Sequence, residues 1–196
     1  MIAVVDYRAG NLTSVIKALD HLRADATVTR DPDMVGRADK IILPGVGHFS
    51  ATADLEHSGL RAAISHRIER GVPFLGICVG MQWMFESSAE SPGTRGLGWF
   101  PGSCGIFPNS VKSPHVGWNS LACDSGSRLL RGIPANSFVY FTHSYSAPVV
   151  KATVARCEYG EEFSAAVEAD NLFGVQFHPE KSGALGLQLL RNFCRL

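Results

Sequence analysis

Apolar residues in the first half of the chain follow two alternating patterns, continuous runs typical of buried strands and helical spacings typical of amphipathic helices. Three short apolar runs predict strands over 2–6, 40–45 and 72–77. Apolar positions recur at helical spacing over 12–22 and 60–68, and a further helix is predicted over 79–88, directly after the third strand. Strands separated by helices of this length indicate a parallel sheet with helices on both faces.

The second half has a different pattern, in which closely spaced apolar runs are joined by short turns. These runs predict strands over 137–147, 152–159, 163–169 and 171–177. Their spacing favours antiparallel additions to one end of the sheet, and the last helix is predicted over 183–196. Since no repeat, low-complexity tract or linker interrupts the chain, we expect one α/β domain over 1–196 with a central, mostly parallel sheet.

Charge along the chain is balanced, with 18 basic and 18 acidic residues and a sequence pI of about 7.0. Because there is no basic stripe, nucleic acid and anionic membranes are not expected as ligands. No apolar run approaches the ~18 residues that a membrane span needs, and the first residues lack a charged leader and a cleavage site. We therefore expect a cytoplasmic protein without a membrane segment.

Cysteine usage points to reduced thiols. The chain has five scattered cysteines, Cys78, Cys104, Cys123, Cys157 and Cys194. The odd number and the lack of a CxxC pair argue against a disulfide framework and against a zinc site. We expect neither a metal nor a cofactor.

The stretch "GICVG" at 76–80 places a cysteine between two glycines at the end of a predicted strand. It has the form of a nucleophile elbow with Cys78 in place of serine. Gly76 and Gly80 allow a sharp strand-to-helix turn that lifts the thiol to a helix N-terminus, where the partial positive charge favours thiolate. The alternative is that Cys78 is simply a buried core residue at the end of a strand.

A base for that nucleophile is offered by "GVQFHPEKS" at 174–182. His178 follows a predicted strand and Glu180 lies two residues later, so in extended geometry both side chains project to the same side. Glu180 is then placed to hold the imidazole in one tautomer and to stabilise imidazolium. The alternative is a surface His-Pro-Glu turn.

The third candidate segment is "LPGVG" at 43–47, at the end of the preceding strand. Gly45 and Gly47 allow backbone N–H groups to turn towards a ligand, as an oxyanion hole requires. The alternative is an ordinary Pro-Gly loop; a nucleotide loop is disfavoured because the third glycine of GxGxxG is missing. In a parallel sheet the three segments meet at the carboxyl ends of the strands, so together they predict one acyl-transfer site.

The motifs "PGVG", "GICVGMQ" and "GVQFHPEKS" resemble those of class I glutamine amidotransferases with a Cys-His-Glu triad, a family of flavodoxin-like fold. "DYRAGN" at 6–11, "PHVGWN" at 114–119 and "YFTHSY" at 140–145 make the whole chain resemble the glutaminase subunits of imidazole glycerol phosphate synthases. The chain departs from the family pattern at Arg8, where glycine is usual, and at Val79, where leucine is usual.

The resemblance implies that Cys78 attacks the glutamine carboxamide, that His178 acts as general base and acid, and that Glu180 orients His178. It implies an oxyanion hole made by the backbone N–H groups of Val46 and Val79. The substrate-binding residues that it implies are Gly47, Gln82, Glu90, Ser144 and Tyr145. From the residues alone, Gln82 also fits a solvated helix position and Glu90 an ordinary exposed carboxylate.

The resemblance further implies a heterodimer, in which ammonia passes to a (β/α)8-barrel subunit that makes imidazole glycerol phosphate and an aminoimidazole carboxamide ribonucleotide in histidine biosynthesis. The partner-facing residues that it implies are Asn11, Trp118, Tyr140 and Lys181. Their alternative roles are a helix cap, two core aromatics and a solvated lysine. Two other functions remain open at this point: a glutaminase for a different acceptor, and a catalytically silent regulatory subunit.

Overall fold

The computed structural model describes residues 1–8, 12–124 and 126–196, so Asn11 lies outside the described residues. The α-helices are α1 (Leu12–His21), α2 (Pro32–Val35), α3 (Ala53–His57), α4 (Leu60–Glu69), α5 (Val79–Gln82) and α6 (Gly183–Cys194). The strands of the first half are β1 (Ile2–Val5), β2 (Ala26–Thr29), β3 (Lys40–Gly45), β4 (Phe74–Cys78) and β5 (Phe85–Ser88). Those of the second half are β6 (Phe100–Ile106), β7 (His115–Ser120), β8 (Ala122–Cys123), β9 (Phe138–His143), β10 (Tyr145–Ser146), β11 (Thr153–Glu158), β12 (Glu162–Ala169) and β13 (Leu172–Val175).

The main sheet has eight strands in the order β2-β1-β3-β4-β13-β12-β11-β8. Neighbouring strands from β2 to β13 run parallel, and those from β13 to β8 run antiparallel. Strands β1, β3 and β4 are almost wholly buried, as expected of continuous apolar runs covered on both faces. The predicted α/β class with a mostly parallel central sheet is confirmed.

Strand β13 differs from its prediction as an antiparallel addition. It is antiparallel to β12 but parallel to β4, with Gly174 opposite Gly76. The β12–β13 hairpin reverses the chain, so β13 joins the parallel part in the same direction as β4. This placement brings the end of β13 beside the end of β4, where Cys78 lies.

The helix predicted over 79–88 is wrong beyond its first turn. Helix α5 ends at Gln82, and Phe85–Ser88 forms β5, which pairs in parallel with β6. The carbonyl oxygens of Trp83 and Met84 accept hydrogen bonds from the N–H groups of Leu97 and Trp99, at 2.6 and 2.9 Å. Long-range partners thus replace the next helical turn, which local periodicity cannot reveal.

Strands β7 and β9 form a separate antiparallel ribbon. The side chains alternate between a buried face, which carries His115, Phe141 and His143, and an outward face. Trp118 lies directly opposite Tyr140 on the outward face, because side chains on a strand alternate with a period of two. None of the described helices is long and apolar enough to cross a membrane.

Candidate active site

Cys78 occupies a sharp turn between β4 and α5. Its backbone has φ 53° and ψ −109°, an unfavourable conformation for a residue with a side chain. A Cβ on Gly80 would lie 1.9 Å from the carbonyl oxygen of Leu43, and a Cβ on Gly76 would lie 2.4 Å from the carbonyl oxygen of Gly80. Both glycines are therefore required by close backbone contacts at this turn.

His178 and Glu180 lie together, but the extended geometry expected for them is wrong. Pro179–Lys181 forms a short 3-10 helix that begins directly after His178. This turn brings Nδ1 of His178 to 2.8 Å from Oε1 of Glu180, with both side chains 1% exposed. One imidazole and one carboxylate, separated by a single proline, thus form a buried pair. Nδ1 carries the hydrogen because a carboxylate oxygen accepts.

The electrostatic surroundings of His178 favour its protonated form. Burial lowers the pKa of His178, but interactions with Cys78 and Glu180 outweigh burial and raise the pKa to about 9. Nε2 of His178 is buried and makes no hydrogen bond of good geometry with any described residue. Within the described part of the chain, Nε2 is therefore the ring nitrogen without a geometric hydrogen-bond partner, on a histidine whose pKa is raised by Cys78.

The "PGVG" segment runs alongside the nucleophile turn. Gly45, the last residue of β3, is opposite Cys78 in the parallel ladder. A Cβ on Gly45 would lie 2.5 Å from Oη of Tyr7 and 2.8 Å from Cβ of Val79, so glycine is needed here. Val46 is exposed, and Gly47 has φ 110°, in the region that favours glycine.

Gln82 and Tyr145 are in direct contact. Nε2 of Gln82 donates to the carbonyl oxygen of Tyr145 at 2.8 Å and lies 3.2 Å from Oε1 of Gln176. The amide of Gln82 is 2% exposed, which excludes a solvated helix position. Gln176, which the sequence reasoning missed, lies with Nε2 3.6 Å from Sγ of Cys78. The only available signal was its place within "GVQFHPEKS".

Glu90 and Ser144 lie around the same region but contact different partners. Oε2 of Glu90 accepts a hydrogen bond at 2.7 Å from the N–H of Phe49, two residues after Gly47. The carbonyl oxygen of Ser144 accepts one at 3.3 Å from the N–H of Phe107. Glu90 is thus tied to the segment that follows "PGVG", and is not a free surface carboxylate.

Trp118, Tyr140 and Lys181 form one group on the outside of the molecule. The rings of Trp118 and Tyr140 are 6.1 Å apart, edge to face, and Nζ of Lys181 lies 5.7 Å from the centre of the Tyr140 ring. Trp118 is 55% exposed, so it is not a core aromatic. Val116 and Phe138, which the sequence reasoning did not single out, are equally exposed on the same face of the ribbon.

Two further features concern Tyr7 and its neighbour in the chain, Arg8. Oη of Tyr7 is buried without a hydrogen-bond partner among the described residues, and burial, with the charge of Cys78, raises the pKa of the phenol. Arg8 has φ 66°, so this chain keeps the left-handed conformation at a position where glycine is usual in the family that it resembles.

Within the described ranges, no group of three or more His, Cys, Asp and Glu side chains is arranged to hold a metal ion.

Comparison with known proteins identifies one family over almost the whole chain. Residues 3–196 match the family described as glutamine amidotransferase class-I. The chain belongs to the class I glutamine amidotransferase family. It is 48% identical over 198 residues to the imidazole glycerol phosphate synthase subunit HisH of Methanothermobacter thermautotrophicus, covering 100% of this chain and 98% of that protein. It is 43% identical over 197 residues to HisH of Methanocaldococcus jannaschii, covering 100% of both chains.

Solved structures show the same amidotransferase fold at much lower identity. A glutamine amidotransferase crystal structure aligns with TM-score 0.78 and 18% identity over 100% of this chain and 98% of that one. A PurLQS structure from Thermotoga maritima aligns with TM-score 0.74 and 20% identity over 99% of this chain and 97% of that one. At 18–20% identity, this similarity shows a shared backbone fold.

Proposed function

We propose that this chain is the glutaminase subunit of imidazole glycerol phosphate synthase. It hydrolyses glutamine to glutamate and ammonia, and it delivers the ammonia to a synthase subunit in histidine biosynthesis. The single observation that carries the chemistry is the strained Cys78 turn beside the buried His178–Glu180 pair. The relatives at 48% and 43% identity over nearly their whole length support the choice of pathway.

The proposed reaction begins when the thiolate of Cys78 attacks the carboxamide carbon of glutamine. As the tetrahedral intermediate collapses, Nε2–H of His178 gives its proton to the departing nitrogen, and ammonia leaves a glutamyl thioester. Nε2 then takes a proton from water, which attacks the thioester carbon and releases glutamate and the thiolate. The raised pKa of His178, about 9, supports the presence of a proton on the ring at neutral pH for the first step.

We assign the oxyanion hole to the backbone N–H groups of Val46 and Val79. Val79 is the first residue of α5, whose N–H has no partner within the helix. Val46 follows Gly45, which lies opposite Cys78. A missing oxyanion donor costs about 10²–10³-fold in kcat, so the conformation of the Gly45–Val46 peptide would control the rate strongly.

We assign glutamine binding to Gly47, Gln82, Glu90, Ser144 and Tyr145. The contacts sharpen the role of Gln82, because both of its amide hydrogens are used by Tyr145 and Gln176. Only Oε1 of Gln82 is left to meet a ligand, so it would accept from the substrate's carboxamide N–H. Glu90, a carboxylate beside the "PGVG" segment, suits the α-ammonium group.

For the partner we propose a (β/α)8-barrel synthase subunit that binds the outer ribbon face, defined as Val116, Trp118, Phe138 and Tyr140. Three of these are large apolar side chains that are more than half exposed, and contiguous exposed apolar groups mark interaction sites. Lys181 lies beside the face, over Tyr140. Asn11, which the family resemblance implies faces the partner, lies outside the described residues and stays a proposal. The five free cysteines agree with a reducing cytoplasm.

The test is a complex of this chain with a barrel synthase subunit, assayed with glutamine and separately with an ammonium salt. Cys78→Ser is expected to abolish imidazole glycerol phosphate formation from glutamine and to leave the ammonium-dependent reaction intact. Cys123→Ser, at a half-buried thiol on the edge strand β8, serves as the matched control and is expected to keep both activities. Equal loss of both activities in an assembled Cys78→Ser complex would contradict the proposed division of labour.

A further inference from the structure

The carbonyl oxygen of Tyr145 joins two buried hydrogen-bond chains. It accepts from Nε2 of Gln82 at 2.8 Å and from Nδ1 of His143 at 2.9 Å. A backbone carbonyl has no hydrogen to give, so both contacts have only one possible direction. The donor and the acceptor of each further hydrogen bond in either chain follow from this one carbonyl oxygen.

The first chain leads to the nucleophile. Because Tyr145 fixes the amide nitrogen of Gln82, that nitrogen also faces Oε1 of Gln176, at 3.2 Å. The oxygen of Gln176 is therefore turned to Gln82, and its nitrogen is turned to Sγ of Cys78, at 3.6 Å. A flipped Gln176 amide would set two N–H groups against each other, so the sulfur receives a donor.

Burial makes this contact consequential. Gln176 is fully buried and Gln82 is almost fully buried, so neither amide can exchange its protein partner for water. A neutral thiol is a weak acceptor, whereas a thiolate forms a charge-assisted hydrogen bond of about twice the usual strength. An N–H held on Sγ therefore favours the charged, nucleophilic form of Cys78.

We propose that Gln176 is a further residue of the active site, which donates its amide N–H to the Cys78 thiolate in an orientation set by the Tyr145 carbonyl through Gln82. This role rests on the proposed function of Cys78 as the nucleophile. Gln176 differs from the triad residues in that it neither takes nor gives a proton. It fixes the charge and the direction of the sulfur before glutamine arrives.

The test is the pH profile of Cys78 alkylation by iodoacetamide in the full chain, followed by peptide mass spectrometry because four other cysteines are present. Gln176→Glu keeps the acceptor for Gln82 but removes the donor to sulfur, and Gln176→Met removes both at similar size. Each is expected to move the midpoint of the profile upward by about one pH unit, a tenfold lower thiolate fraction at a given pH below it. The matched control is Gln188→Met, on helix α6, which is expected to leave the midpoint unchanged.

A midpoint that stays at the wild-type value in a folded Gln176 variant would overturn the proposal, and so would an equal shift in Gln188→Met. The wild-type chain gives an independent measurement if a variant does not fold, since it contains only three glutamines, Gln82, Gln176 and Gln188. With ¹⁵N-labelled glutamine, the Gln176 side-chain amide resonance is expected to shift on alkylation of Cys78 while that of Gln188 does not. An unmoved Gln176 resonance would contradict the contact. Failure of the proposed nucleophile shows separately, as glutamine hydrolysis that persists in Cys78→Ser.

Discussion

Nδ1 of His178 lies 2.8 Å from Oε1 of Glu180, and both side chains are excluded from solvent. The pair is closed by the single-turn helix that begins after His178, and it is braced from β9. The N–H of His178 donates to the carbonyl oxygen of Tyr140 at 2.9 Å, and Oγ of Ser182 donates to the carbonyl oxygen of His178 at 2.7 Å. Backbone hydrogen bonds thus hold the main chain of His178, and the carboxylate of Glu180 orients its imidazole.

Replacing Glu180 should shift the pH range of activity. Burial lowers the pKa of His178, while Cys78 and Glu180 raise it to about 9, so imidazolium is present below that pH and is lost above it. In Glu180→Gln the carboxylate no longer supports the charge, so the alkaline limb of glutaminase activity should move to lower pH. We also expect kcat to fall by roughly 10²-fold, at the lower end of what general acid–base catalysis contributes.

The measurement is the pH–rate profile of glutamine hydrolysis in the assembled complex. Glu162→Gln removes an exposed carboxylate that pairs with Arg156, and it should leave the profile unchanged. An alkaline limb in Glu180→Gln that coincides with wild type would show that Glu180 does not set the protonation of His178.

The pattern of apolar and polar residues along the chain predicted much of the fold, because buried strands and amphipathic helices have different periodicities. Strands β1, β3 and β4 and helices α1, α4 and α6 lie within a few residues of their predicted positions. The nearness of His178 and Glu180 was predicted too, but from an extended geometry that the 3-10 turn replaces. The spacing along the chain identified His178 and Glu180 as neighbours, but it did not predict the backbone conformation between them.

The meeting of the segments that carry Cys78 and His178 was predicted from the sequence, but other contacts between distant segments were not. Gln176 and Cys78 are 98 positions apart, and they meet because β13 adds to the sheet beside β4. The early end of α5 likewise depends on hydrogen bonds from Leu97 and Trp99. Which face of β7 is exposed, and hence the position of Trp118, follows from its pairing with β9.

Gly80 should be intolerant of even the smallest side chain. Its Cβ would lie 1.9 Å from the carbonyl oxygen of Leu43, a backbone atom of β3, so Gly80→Ala must displace β3 or the nucleophile turn. We expect a loss of unfolding free energy at the upper end of the ~1–3 kcal/mol typical of overpacking. Gly93→Ala, where nothing lies within 4 Å of the added carbon, is the control and should be near neutral. Urea unfolding of both variants checks this, and equal stabilities would contradict it.

The buried histidines His115 and His143 should make the protein sensitive to acid. Nδ1 of His115 donates to Nε2 of His143 at 3.1 Å, since Nδ1 of His143 is used by Tyr145. Burial lowers the pKa of His115 to about 4 and that of His143 to about 3. The unfolded chain, in which a histidine titrates near 6.5, therefore binds more protons between pH ~4 and ~6.5. Stability should fall as pH drops through this window.

The effect is measured as the slope of unfolding free energy against pH. Each histidine adds up to about 1.4 kcal/mol per pH unit to that slope, and His143→Asn should remove one such contribution. His66→Asn, at an exposed helical position, should leave the slope as it is. A His143→Asn slope equal to that of wild type would show that His143 is not held neutral by folding.

Lys181 should affect communication with the partner more than folding of this chain. Its ammonium group lies 5.7 Å from the centre of the Tyr140 ring, at the edge of the outer ribbon face. Tyr140 is in turn bonded to the segment that carries His178, since its carbonyl oxygen accepts from the N–H of His178. A partner contact at Lys181 would therefore lie one residue from Glu180 and one backbone hydrogen bond from His178.

An exposed cation–π contact or ion pair is worth only about 0–1 kcal/mol. Lys181→Ala should therefore change the affinity of the complex by no more than about fivefold. It should leave the unfolding free energy of the isolated chain nearly unchanged. The informative quantity is the increase in glutaminase rate when saturating partner and its ligand are added, which we expect to fall severalfold. Lys151→Ala, at an exposed turn outside the ribbon, provides the matched loss of a positive charge. Stimulation that is equal in the wild-type, Lys151→Ala and Lys181→Ala complexes would remove Lys181 from the coupling between the two subunits and leave it as a solvated side chain above Tyr140.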